Sequence, residues 1–137
     1  MICSWSLESY GGTNVTGRSY RDLEVWQKAM ELVTDVYRMT EHFPESERFG
    51  LTNQLRRACV SIPSNIAEGQ GRRTDKDFLH FLYIARGSLM EVQTQNEIAS
   101  RLGFTDTALT KSVEDSTVTV LKLLHGLIRS LNQRSES

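Results

Sequence analysis

The sequence predicts an all-α protein, folded as a single up-and-down antiparallel four-helix bundle. Three observations lead there. Apolar residues recur at steps of three and four along four successive stretches, the period of a helix with one buried face. Only two prolines, Pro44 and Pro63, interrupt the 137 residues. Capping residues separate the stretches by about 2–6 residues, short enough that consecutive helices must reverse direction. No hairpin signal and no repeat of solenoid length competes with this reading.

Residues 1–18 are rich in Gly, Ser, Thr and Asn without periodicity and are expected to form a flexible tail. Residues 19–132 are left for the bundle and 133–137 for a short C-terminal tail. The first helix is expected from Asp22, which can serve as N-cap, to about Phe43, where Pro44 stops it. Its stripe is Leu23, Trp26, Met30, Val33, Tyr37 and Thr40, widened by Leu32, Val36 and Met39. The second helix runs from about Glu47 to Glu68 on Leu51, Leu55, Ala58, Ile62 and Ile66, with Gly69 and Gly71 to end it.

Pro63 falls inside that second stretch. Proline removes one helical hydrogen bond, so the helix either breaks there or continues with a kink. The stripe keeps phase through Pro63, which favours the kink, and Ser61, Ser64 and Asn65 can repair the disturbed backbone. Thr74 then caps a third helix, with Asp77 three residues on, that reaches Leu102. Its stripe is Phe78, Leu82, Ala85, Leu89, Val92, Asn96 and Ala99, and Gly103 suits the position after its end. Thr105 or Asp106 caps a fourth helix to about Asn132, on Leu109, Val113, Thr117, Val120, Leu124, Leu127 and Leu131.

Apolar groups wrap most of the way round the third helix between Phe78 and Ala85, and the fourth is also broad. A helix that is apolar all round is buried on more than one side, so self-association is expected.

Composition excludes several classes. The net charge of −1 is not that of a strongly basic DNA-binding module. Two cysteines, Cys3 and Cys59, make no disulfide framework and fit a reduced, cytoplasmic setting. No apolar run reaches membrane-spanning length, and residues 1–12 do not read as a secretory signal.

No enzyme site emerges, and no cofactor is expected. A di-iron bundle needs inward carboxylates and a Glu-x-x-His pair on each of two helices, whereas this chain offers only Asp77-x-x-His80, once. Cys59 has no histidine near it in sequence and reads as a buried inert thiol. Gly69-Gln70-Gly71-Arg72-Arg73-Thr74 lacks the spacing of a phosphate loop, yet its arginines precede a helix N-terminus, where anions are favoured. A phosphate contact and a solvated turn are both open there.

Charge is the remaining signal. Between Arg48 and Arg73 stand five arginines against Glu68 alone. A hairpin centred near residues 71–72 brings Arg57 level with Arg86, groups Arg56 with them, and puts Arg72, Arg73 and Lys76 at the tip. Arg56, Arg57, Arg72, Arg73 and Lys76 are therefore the candidate nucleic-acid contacts. Arg86, amid apolar residues, is expected to be satisfied by neighbouring carboxylates.

The run Gln54-Leu55-Arg56-Arg57-Ala58-Cys59-Val60-Ser61-Ile62-Pro63-Ser64-Asn65-Ile66-Ala67-Glu68-Gly69 resembles the 23S rRNA-intervening-sequence protein family, which includes the accessory variability determinant proteins of diversity-generating retroelements. Tyr20-Arg21-Asp22-Leu23-Glu24-Val25-Trp26-Gln27, Phe43-Pro44, Phe49-Gly50-Leu51, Ile84-Ala85-Arg86-Gly87-Ser88-Leu89 and Leu102-Gly103-Phe104 extend the resemblance over about residues 19–130. Gln93-Thr94-Gln95-Asn96 departs from the usual Glu-Thr-Gln-Leu. The resemblance implies a ring-like homopentamer and, for the retroelement members, nucleic-acid binding and association with a reverse transcriptase. Arg56, Arg57 and Arg72 match the family pattern.

The expectation is thus a non-enzymatic, homo-oligomeric accessory protein that binds RNA or DNA through backbone contacts. It has no membrane partner, and a reverse transcriptase is a candidate partner. The competing reading is an oligomeric protein–protein scaffold without nucleic acid.

Overall fold

The computed structural model describes residues 19–136, with side chains described through Arg134. The expected tail over residues 1–18 lies outside them. Four helices make up nearly all of the described chain: α1 Glu24–Thr40, α2 Leu51–Gln70, α3 Asp75–Arg101 and α4 Thr107–Glu136. Short 3-10 turns at Tyr20–Asp22 and Glu45–Glu47 precede α1 and α2. α1 packs on α2, α2 on α3, α3 on α4, and α4 back on α1, closing a bundle around one core.

Four side-chain bridges fix the direction of neighbours. Ser88 Oγ donates to Ser61 Oγ at 2.8 Å and Gln95 Nε2 reaches Gln54 Oε1 at 3.5 Å, so α3 descends as α2 rises. Between α3 and α4, Gln93 Nε2 meets Thr117 Oγ1 at 3.2 Å, and Arg134 pairs with Asp75 at 3.1 Å at the opposite end. These two helices are also antiparallel.

The stripes of α2 and α3 lie where the periodicity put them: Leu51, Leu55, Ala58, Ile62 and Ile66 face Phe78, Leu82, Ala85, Leu89, Val92, Asn96 and Ala99 in the interior. In α4, Val113, Thr117, Val120, Leu124 and Leu131 are buried, while Leu109 and Leu127 are half-buried. In α1 the buried face is rotated from the expected one. Val25, Ala29, Leu32, Val36, Met39 and Thr40 form it, whereas Met30 and Tyr37 are 41% and 39% exposed. The smaller side chains let α1 approach the core closely, and the larger ones line its edge, where Tyr37 supports an arginine of α2.

The helix ends show how local chemistry places the boundaries. Asp22 does not cap α1. Its carboxylate accepts from Ser19 N at 3.1 Å within the preceding 3-10 turn, and Leu23 occupies the N-cap without a side-chain bond. α1 stops at Thr40, three residues before the expected Phe43. α2 begins at Leu51 rather than Glu47, because Glu47 acts from outside: its Oε1 accepts from Leu51 N at 2.9 Å, and the negative charge suits a helix N-terminus.

Thr74 caps α3, accepting from Asp77 N at 3.1 Å. α3 closes on Gly103 at φ +76, where Phe104 N donates to Ala99 O and Gly103 N to Ser100 O. That is the paired-bond closure only a left-handed residue completes. Of the two expected caps for α4, Asp106 serves: its Oδ1 accepts from Leu109 N at 2.8 Å. α4 continues to Glu136, past the expected Asn132.

α2 continues through Pro63 without interruption. Ser64 Oγ donates to Val60 O at 2.8 Å, and Asn65 Nδ2 to Ser61 O at 2.8 Å, so the polar residues around Pro63 re-bond nearby carbonyls. The helix also passes the expected stop at Gly69, which is buried inside it. The reason for glycine is space. A Cβ there would stand 2.8 Å from Phe81 Cβ and 2.9 Å from Phe78 Cδ1.

Two outcomes follow. Gly69→Ala should lower stability by about 1–3 kcal/mol, because α3 must move away or its phenylalanines must leave their rotamers. Gly126→Ala, which meets nothing within 4 Å inside α4, should raise it by about 0.5–1 kcal/mol. Urea denaturation of the two variants reads both signs. Burial pushes the Cys59 thiol up to about 12 from 9.0, so the native thiol should resist Ellman's reagent near about pH 8 and react once unfolded. Because its folded pKa is the higher one, the stability contributed by the neutral thiol is full below 9.0 and lost as pH rises toward about 12. Cys59→Ala should remove that alkaline component of the denaturation profile.

Candidate nucleic-acid interface

The five candidate cations divide sharply once the helices are in place. Arg56 sits on the side of α2 that faces α1. Its Nε donates to Thr40 Oγ1 at 2.8 Å, an Nη to Tyr37 O at 3.3 Å, and the guanidinium lies 4.4 Å from the centre of the Tyr37 ring. Thr40 is buried, and its hydroxyl in turn donates to Val36 O at 2.8 Å. Arg56 is therefore a clamp at the end of α1, with two of its donors committed to the Thr40 hydroxyl and the Tyr37 carbonyl.

Arg72 is partly engaged. It pairs with Glu68 at 2.7 Å and stacks 4.8 Å over Phe81, with nearly half of its side chain exposed. An exposed pair one turn apart is worth only about 0.3–0.5 kcal/mol, so a competing phosphate can recruit this arginine. Arg57, Arg73 and Lys76 are exposed and have no carboxylate partner among the described residues. Arg73 and Lys76 flank the start of α3, whose dipole disfavours cations, so their placement costs the fold a little. Asp75 beside them is held by Arg134 at 3.1 Å and Asp77 stays exposed.

The expected grouping of Arg57 with Arg86 does not form. The Ser61–Ser88 and Gln54–Gln95 bridges set Arg57 opposite Glu91, one turn from Ser88. α2 runs on to Gln70 and α3 starts only at Asp75, which moves the centre of the hairpin toward α3. Gln54, Arg57, Ser61, Ser88, Glu91 and Gln95 line an open depression of about 320 Å3 between the two helices. Arg86 forms no ion pair among the described residues, contrary to expectation; it stacks 4.8 Å over the ring of Tyr83.

The rest of the surface offers little chemistry. Among the described residues no three His, Cys, Asp or Glu side chains converge as metal ligands, and no helix is long and apolar enough to cross a membrane. A second depression, of about 380 Å3, is lined by His42, Gly103, Phe104, Thr105, Asp106 and Leu109 at the α3–α4 turn. Its only exposed carboxylate already caps α4. Cys59 is buried and its Sγ donates to Arg56 O at 3.3 Å.

Sequence reasoning passed over two cations, Lys122 and Arg129 on α4, which are exposed and without an ion pair among the described residues. The signal was present: no Asp or Glu occurs between residues 116 and 133.

Comparison with known proteins follows from this geometry. A crystal structure of a protein of unknown function from the S23 ribosomal protein family of Bacteroides thetaiotaomicron VPI-5482 shares the fold. It matches with a TM-score of 0.69 and 24% identity, covering 76% of this chain and 97% of that one. A search of curated proteins found none significantly similar to the chain. The long Ser-Ile-Pro-Ser-Asn-Ile-Ala-Glu-Gly run, the bundle built around it and a sequence match over residues 21–126 agree: the chain belongs to the 23S rRNA-intervening sequence protein family.

Proposed function

We propose that this chain is a non-enzymatic accessory protein that self-associates and binds RNA or DNA through phosphate contacts. The observation that carries the reading is the pair Arg73 and Lys76, exposed and without an ion pair among the described residues, at the start of α3. They stand where a cation destabilises the helix, and the fold draws no compensating contact from them. A phosphate strand supplies that compensation, with Arg57 and Arg72 on the same hairpin within the reach of an extended backbone. In a retroelement setting the protein partner of such an accessory is a reverse transcriptase, and in a cytoplasmic one the buried Cys59 stays reduced.

Self-association is favoured by a separate feature. On the outer side of α3, Ile84, Ile98 and Leu102 are 40%, 41% and 59% exposed. Side chains of this size are buried by a second copy at far less cost than they are hydrated. In a ring of copies the hairpin tips repeat, and the local positive potential adds up. This same apolar face supports the scaffold reading if nucleic acid is absent.

Phosphate-dominated binding must be steeply salt-dependent. Filter binding of labelled RNA and DNA should therefore show affinity falling by an order of magnitude or more between about 50 and about 200 mM salt. Arg73→Glu with Lys76→Glu should weaken every sequence about equally. The absence of binding at low salt would leave the scaffold reading. Arg56→Ala should behave differently, costing about 0.5–1.5 kcal/mol of stability through the lost bond to Thr40 and the lost stacking on Tyr37. Ile98→Glu should shift sedimentation toward the monomer; a wild-type protein that sediments as a monomer at micromolar concentration would contradict the self-association.

A further inference from the structure

Beside α3, the second half of α4 builds a face that the hairpin argument does not use. Tyr83 of α3 and Asn132 of α4 meet at 3.4 Å, and Gln93 meets Thr117 at 3.2 Å. Between these two bridges the helices lie side by side. Over this length α3 contributes residues 83–93, whose one acid, Glu91, lines the depression shared with α2, and α4 contributes residues 117–132, which contain no Asp or Glu. Lys122, His125 and Arg129 recur at steps of three and four, so they form one exposed stripe on α4. Arg86 stands on α3 with its guanidinium 4.8 Å over Tyr83, whose ring is 41% exposed.

A solvated helix face usually interleaves the two signs of charge, and this protein does so elsewhere. Lys28–Glu31, Arg101–Glu97 and Lys111–Asp115 are paired along α1, α3 and the first half of α4. Arg86, Lys122 and Arg129 have no carboxylate partner among the described residues. Like charges spaced along one helix face repel, so an acid-free face of this length is a cost that solubility alone does not require.

The chemistry of the face is specific. Lys122 and Arg129 are two helical turns apart, about 10 Å along the axis, wider than one phosphate step and suited to phosphates two nucleotides apart on a flexible strand. Tyr83 and Arg86 present a flat ring and a flat cation beside them, a platform on which an unpaired base can stack. A duplex cannot use such a platform, because its bases are stacked on one another, and a two-helix face of this shape enters neither groove.

We infer that Tyr83, Arg86, Lys122 and Arg129 form a binding face for a single-stranded polynucleotide, separate from the α2–α3 tip. The inference rests on the nucleic-acid reading above and adds to it a location and a strandedness. The bases stack on Tyr83 and Arg86 while the phosphates track the α4 stripe.

Fluorescence anisotropy with labelled oligo-dT, oligo-U and a duplex of equal length, at low salt, tests it. The single strands should bind more tightly than the duplex. Lys122→Glu with Arg129→Glu should weaken single-strand binding at least about ten-fold. Tyr83→Ala should weaken it about five-fold or more while changing duplex binding little. Neutral Lys122→Gln with Arg129→Gln should give an intermediate loss, and thermal melts of all variants should match the wild type. If Arg73→Glu with Lys76→Glu abolishes binding while the α4 and Tyr83 variants bind like wild type, this face is overturned and the hairpin reading stands. A duplex that binds as tightly as the single strands also overturns it. If the wild type binds none of the three probes, both readings fall together.

Discussion

The close approach of α2 and α3 at Gly69 is the constraint on which the rest of the bundle depends. With no side chain at that position, the α2 backbone rests against Phe78 and Phe81. Phe78 can then be fully buried, and Ser61 and Ser88 come within 2.8 Å two turns further along. A hydroxyl pair at that distance is short-range and directional, so it fixes the register of the two helices as well as their spacing. Every tertiary consequence for the arginines follows from this register. Arg57 is turned toward Glu91 and the polar depression, and Arg86 is left on the far side of α3 with Tyr83.

Pro63 fits the same scheme. A proline inside a helix normally costs a hydrogen bond and disturbs the preceding turn. Here it is buried within α2, and the carbonyl it leaves without a helical donor is that of Cys59, while Ser64 and Asn65 add side-chain bonds to Val60 O and Ser61 O on the same turn. Asn65 Nδ2 also reaches Ser61 Oγ at 2.9 Å, which orients the hydroxyl that Ser88 meets. The polar residues of the family's most distinctive run thus act as one unit. They bond the carbonyls of the turn around Pro63 and build the bridge to α3, with Gly69 providing the space. That gives them a structural role without any need for catalysis.

What the sequence made legible was periodicity and capping, because both are local. The stripes of α2 and α3, the Thr74 and Asp106 caps and the left-handed Gly103 all depend on residues within a few positions of one another. The face of α1 was less legible, since large and small apolar residues occupy adjacent stripes. Only the neighbour decides which turns inward: Ala29 and Val36 allow close packing, and Tyr37 is needed outside to carry Arg56. The fate of each arginine was the least legible feature. Arg56 and Arg57 are adjacent in sequence, yet a rotation of about 100° separates a clamp buried against Thr40 from a solvated cation. Polar Asn96 on the core stripe behaves similarly: its amide ties α3 to Thr110 O at 3.0 Å, a partner no local pattern announces.

These fates also bear on where function can be sought when no metal-ligand cluster converges among the described residues. Burial and hydrogen bonding account for Arg56, and stacking with a weak surface pair accounts for Arg72. Removing such residues from the list of candidate contacts is as informative as adding others. Arg57, Arg73, Lys76, Lys122 and Arg129 are left, exposed cations that form no ion pair among the described residues. Arg73 and Lys76 lie against the positive end of a helix dipole, and Lys122 and Arg129 share one acid-free helix face. Both arrangements are mildly unfavourable in an isolated chain and become favourable only when negative charge arrives from outside. A near-neutral chain can thus carry an uncompensated basic stripe where, as over residues 116–133, acids are absent. Along α1, the outer end of α3 and the start of α4, they are paired with their own lysines and arginines.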